Sequence, residues 1–177
     1  NWRPAVVPTA NHDVYIPSTA DLAVQVPLPG VDPAILPGVN GITHSIYFYT
    51  GANITITGGQ MLEVKGDFEA QSTLNIQGEG TVRFSRTLPG QQRIFGSTTF
   101  PYLNSANPNS TLSIQSGMQT ITRALQLSDG VLQGNGRITL ASDALNTGLI
   151  DDFSAGYTGS VSGNITSNRH IAGTRGY

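Results

Sequence analysis

The sequence predicts an all-β fold, a parallel β-helix in which short strands wind into stacked coils. Three observations carry this. From Ile42 onward, apolar residues come in pairs one residue apart: Ile46/Phe48, Ile54/Ile56, Leu62/Val64, Leu74/Ile76 and Val82/Phe84. That spacing marks strands with one buried face. Glycine-bearing or turn-forming separators (GAN, GGQ, KGD, GEG, LPG) interrupt the pairs, so each strand is short. Aliphatic residues also recur at an offset of 20: Leu62/Val64 to Val82/Phe84, Ile54 to Leu74 to Ile94, and Leu112 to Leu132. A coil of about 20 residues explains this, and one of about 24, built from three eight-residue units, also fits. A β-sandwich or jelly roll is the alternative, because two packed antiparallel sheets also give period two. The close turn signals and the repeated Ile, Leu and Val offsets favour the β-helix.

Residues 1–41 hold seven of the ten prolines: Pro4, Pro8, Pro17, Pro27, Pro29, Pro33 and Pro37. Each removes a backbone donor, so this part reads as short strands and loops that pack on or cap the solenoid. Asp13–Ile16 (DVYI) and Leu22–Val26 (LAVQV) are its strand candidates, and Trp2 is expected to seal an end of the core. Residues 42–177 are expected to form the coils. Ile54, Leu74 and Ile94 are expected to stack inside. Thr55 and Asn75 then face solvent, where Thr and Asn ladders can form. Glu63 and Arg83 fall on adjacent outer rungs and suit a modest ion pair. Residues 86–111, with Pro101, Pro108 and the run NSANPNS, read as an irregular insert. Beyond it come Leu112/Ile114, Leu125/Leu127, Val131/Leu132 and Ile138/Leu140. Ser116–Leu127 (SGMQTITRALQL) reads as strand rather than helix because of its β-branched residues. The chain starts at Asn1 and ends at Tyr177 in mid-pattern, so it reads as a piece of a longer parent.

Composition excludes several function classes. Nine Lys plus Arg stand against eleven Asp plus Glu, a net charge of -2, which leaves no electrostatic footprint for nucleic acid. There is no cysteine, hence no disulfide, thiolate metal site or cysteine nucleophile. No apolar run reaches the length of a membrane-spanning helix.

Candidate chemistry is sparse, and no catalysis is expected. His12, His44 and His170 lie far apart in sequence, without zinc-ligand spacing. No cofactor is expected either. Calcium is the one ion with an acidic pair to hold it, Asp151/Asp152 near Asp143, but no calcium-loop spacing surrounds them and a solvated pair is the stronger reading. Glu63, Asp67, Glu69 and Glu79 form no evident glycosidase pair, and no G-x-S-x-G elbow exists. The residues proposed for surface contact are Tyr47 and Tyr49, which flank buried Phe48 and point outward, where they can bind a partner or equally cover the edge of a coil, and a small basic cluster, Arg83, Arg86 and Arg93, which could touch an anionic glycan although a solvated face is the stronger reading.

The opening NWRPAVVPTANHDVYIP, the segment ITHSIYFYTGANITITGGQMLEVKGDF and the ending SNRHIAGTRGY together resemble the secreted, adhesin-like surface proteins of Bacteroidetes-type bacteria exported by the type IX route. The likeness in motif covers these parts only. It implies a right-handed parallel β-helix and a structural or adhesive role, extracellular or at the cell surface. The partners it implies are neighbouring domains of the same long chain, further copies of it, or surface glycans. A polysaccharide-active β-helix enzyme or a carbohydrate-binding module is the alternative. A lyase would need Asp, Lys or Arg clustered on adjacent rungs beside a groove, and the linear sequence, with its single Lys65, identifies no such cluster.

Overall fold

In the computed structural model, residues 8–17, 41–151 and 156–171 are described. They form strands and turns with no helix, wound into a β-solenoid of about five turns. The strands are β1 (Val14–Ile16), β2 (Gly41–Thr43), β3 (Ile46–Phe48), β4 (Ile54–Ile56), β5 (Met61–Val64), β6 (Phe68–Ala70), β7 (Leu74–Gly78) and β8 (Thr81–Phe84). Then follow β9 (Gly90–Phe95), β10 (Thr98–Ile114), β11 (Gln119–Gln133), β12 (Ile138–Leu140), β13 (Leu149–Ile150), β14 (Ser160–Ser162) and β15 (Ile165–Ser167).

Every pairing between these strands is parallel, which rules out the sandwich and the jelly roll. The ladders fall on three sides. The first side runs β2-β5-β8, then the middle of β10 and of β11, then β13. The second runs β1-β3-β6-β9, the ends of β10 and β11, then β14. The third joins β4 to β7, then the starts of β10 and β11, then β12 and β15. Strands β10 and β11 each bend through two corners without leaving the ladder.

The interior is lined by aligned columns. Leu62, Val82, Leu103 and Leu125 stack on the first side, and Leu112 stacks over Leu132 on the second. Four phenylalanines fill the N-terminal coils. Phe68 lies 5.2 Å from Phe48, 5.9 Å from Phe84 and 5.6 Å from Phe100, and all four are fully buried. Each contributes roughly 1.5–3 kcal/mol by burial, with edge contacts adding to it. Two buried glutamines satisfy corner carbonyls from inside. Gln92 Nε2 donates to Val64 O and Gly66 O, at 2.8 and 2.5 Å, and Gln119 Nε2 donates to Gly96 O at 2.7 Å. At that corner only glycine fits. Gly96 and Gly117 have φ of 84° and 71°, and a Cβ on Gly117 would stand 2.2 Å from the Gly96 carbonyl carbon.

Two expectations are corrected here. Ile54, Leu74 and Ile94 do not stack: Ile54 pairs with Ile76, Leu74 with Thr98, and Ile94 with Phe68 and Ile114. Coil length varies, so equal offsets land on different sides. Leu62 to Val82 spans 20 residues, but Phe68 to Ile94 spans 26. Residues 86–111 are not an insert either. They carry β9 and most of β10, and their irregularity shrinks to register shifts at Phe100/Tyr102, Ser105/Ala106 and Ala106/Thr111. Thr and Ser side chains hold their place in the ladder there, and the two prolines fall at or beside these shifts. The N-terminal segment joins the solenoid through β1, which adds a rung beside β3. Trp2 and Leu22–Val26 lie outside the described residues.

Candidate functional site

A parallel solenoid repeats each outward position one coil below, so outward side chains form columns at about 4.8 Å spacing. On the third side, Asn75, Thr99, Thr120, Thr139 and Thr166 make one such column, the ladder that Asn75 suggested. On the second side the column is Tyr15, Tyr47, Glu69 and Phe95. The rings of Tyr15 and Tyr47 stack 4.8 Å apart with an 11° tilt. Tyr47 is therefore half-buried rather than fully presented, while Tyr15 and Tyr49 are 56% and 43% exposed. The sequence reading missed Tyr15. Its partner Tyr47 lies 32 residues on, far from any 20-residue offset.

The three arginines of the basic cluster sit at different places on the solenoid. Arg93 sits on the second side, bonded to Asp67 at 2.6 Å and placed over the Phe95 ring at 5.6 Å. Arg86 lies in the corner after β8, where its backbone N–H donates to Asn107 Oδ1 at 2.6 Å and its Nε is buried without a hydrogen bond. Arg83 points outward from the first side, in the register Glu63, Arg83, Asn104 and Gln126. Below it, Asn104 donates to Gln126 and Gln126 to Asp151, at 3.0 and 2.9 Å.

Beside this column, at the corner between the first and second sides, opens a cleft of 280 Å³. Glu63, Lys65, Arg83, Ser85, Pro108 and Asp129 are among the residues lining it. Two stacked corner segments form its lip: residues 85–89 above, and below them the register break at Ala106/Thr111. Asn109 Nδ2 reaches Thr87 O at 3.4 Å and so ties the two tiers. The polar run read as an insert is thus the wall of a concavity.

Glu63 does not pair with Arg83, although the two are register neighbours. Its carboxylate accepts from Lys65 Nζ at 2.8 Å and from Ser85 Oγ at 2.6 Å. Burial pushes its pKa up, but the bonds from Lys65 and Ser85, with the nearby charges of Lys65 and Arg83, prevail and hold it below its ordinary value. Asp129 Oδ1 accepts from the Gly130 N–H and from Thr158 Oγ1. Arg83 has no carboxylate within 4 Å among the described residues, and its Nε is buried without a hydrogen bond. The cleft therefore holds one neutralised pair, one unpaired guanidinium and one carboxylate two coils further on. Lys65, Arg83 and Asp129 line one cleft although they come from three coils, which the linear sequence hid, but Asp129 is two coils from Arg83 and not on an adjacent rung.

The other acidic and histidine candidates meet in pairs rather than as a cluster: the His44 N–H donates to His12 O at 2.9 Å, and the His170 charge bears on Asp143. His44 Nδ1 bonds Asp13 Oδ1 at 2.8 Å, and His12 Nδ1 accepts from the Thr9 N–H. Asp143 caps a turn through the amides of Leu145 and Asn146, and Asp152 lies outside the described residues. Among the described residues no three His, Asp or Glu gather as a metal cluster. No protein-family model, no curated protein and no solved structure matches the chain.

Proposed function

We propose that the chain is a structural and adhesive module of a secreted bacterial surface or filament protein, working without catalysis. The observation that carries this reading is an asymmetry in the core. In the middle coils each interior column is closed, but in the last described coil the same columns end on partly exposed residues. Ile150 lies beneath Leu125, Val161 beneath Leu132 and Ile165 beneath Ile138, and none of the three is buried. Such a surface suits another coil, from the same long chain or from a second copy, which would bury the apolar columns. The low net charge and the outward columns of Thr, Asn and Tyr support a rod that binds through many weak contacts, which multivalency strengthens.

The test has two arms. Sedimentation and electron microscopy of the chain are expected to show end-to-end association. The double variant Tyr47→Ala/Tyr49→Ala is expected to keep its circular dichroism spectrum and to lose adhesion to glycan-coated surfaces. Turnover of any polysaccharide in a substrate panel would replace this reading with the enzymatic one.

A further inference from the structure

We infer that the corner cleft is a binding site for an acidic sugar, with Arg83 receiving the carboxylate. The inference rests on the adhesive part of the reading above and gives that adhesion a ligand class. It starts from Arg83. A guanidinium is permanently charged and presents a planar fork that matches a carboxylate. Here it lines a concave wall, has no ion-pair partner among the described residues, and keeps a buried Nε without a hydrogen bond.

Lys65 does not compete for the same anion, because Glu63 already neutralises it. The far wall differs in kind. Asp129 uses one oxygen for Gly130 and Thr158, and Ser128 and Thr87 add hydroxyls to the lining. Ala106 and Pro108 provide the apolar surface. Arg83 and Asp129 stand two coils apart, about 10 Å along the axis at the usual strand spacing, with Asp129 three residues past Gln126, the register position of Arg83 in that coil. A cleft of 280 Å³ falls just below the ordinary range for small-molecule pockets. It fits a single hydroxylated ring with its carboxylate at one end and hydroxyl donors at the other. A neutral sugar leaves Arg83 unpaired, and a bare anion leaves the Asp129 wall unused. Uronic-acid polymers and sialylated glycans share this chemistry.

Titration calorimetry on the wild-type chain would use digalacturonate, sialyllactose, lactose and acetate as probes. Saturable binding of digalacturonate or sialyllactose, at least about tenfold tighter than lactose and acetate, is expected, since a hydrogen bond to a charged group contributes about that factor or more. Whichever acidic probe binds tighter identifies the source. Arg83→Gln is expected to weaken the acidic probe about tenfold or more and to leave lactose unchanged. Thr87→Glu, on the exposed rim, adds a repelling charge without touching the core and is expected to weaken the same probe. It decides the matter if Arg83→Gln fails to fold. Equal affinity for lactose and the acidic probes, acetate binding as tightly as they do, no binding of any probe, or full affinity in both folded variants would each overturn the inference. End-to-end association, followed in parallel by sedimentation, would survive any of those outcomes and keep the rod reading separate.

Discussion

Phe68 and Ile150 occupy the same kind of position in different coils, and their surroundings differ. Both lie in interior columns: Phe68 between Ile46 and Ile94, Ile150 beneath Leu125. Phe68 is fully buried among three other phenylalanine rings, while Ile150 is 38% exposed. The difference is a coil. Phe68 has a ladder neighbour on both sides along the axis and Ile150 has one on a single side among the described residues, so an equally apolar side chain counts differently in the middle and in the last described coil.

The largest expected effect that would break this comparison is in the middle. Phe68→Ala removes a ring from contact with Phe48, Phe84 and Phe100 at once, and the stacked coils cannot collapse around the space. A loss of about 3–5 kcal/mol is expected, read from urea denaturation. Ile150→Ala should cost about 1 kcal/mol or less in the dissociated chain, because part of that side chain already meets water. In an associated sample the same change should cost more and should shift the assembly equilibrium. Equal losses for the two variants in the dissociated chain would mean that the last coil is as well packed as the middle.

The same contrast explains what the sequence revealed. The strand pairs Ile46/Phe48, Leu62/Val64 and Val82/Phe84 were legible because period two is local, and each is found as a strand with both apolar residues buried. Stacking is not local. It depends on how many residues each corner takes, and the corner between the first and second sides takes only 65–67 after β5 but 85–89 after β8. Leu62 over Val82 was therefore readable, while Ile54 over Ile76 and Tyr15 beside Tyr47 were not. The cleft was hidden for the same reason. Lys65, Arg83 and Asp129 meet only once the corner lengths are known, and the NSANPNS run that looked like an interruption supplies its lip. Arg93 was misgrouped with Arg83 and Arg86 because nearness in sequence stood in for nearness on one side.

The smallest expected effect sharpens the comparison through acid. Glu63 belongs to the middle coils and Asp143 to the turn before the last one, and both carboxyls are held below their ordinary values of 4.5 and 3.8. For Glu63, burial works the other way and is overcome by Lys65 and Ser85; for Asp143, the amides of Leu145 and Asn146 act first. A carboxyl with a depressed folded-state pKa stabilises the fold above its unfolded value, and that contribution fades as pH falls through the folded one. Stability should thus decline below about pH 4.5, the unfolded reference for Glu63. Glu63→Gln should be less stable than wild type at neutral pH and should show a shallower decline in acid, in global unfolding followed by circular dichroism. Asp143→Asn should leave global unfolding nearly unchanged, because its hydrogen bonds stay within its own turn and the charge of His170 is the smallest of its contributions, and should show its acid response mainly in faster amide exchange at Leu145 and Asn146. If Asp143→Asn flattened the global acid profile as much as Glu63→Gln, the last coils would be unfolding together with the middle, and the separation between closed and open coils would fail.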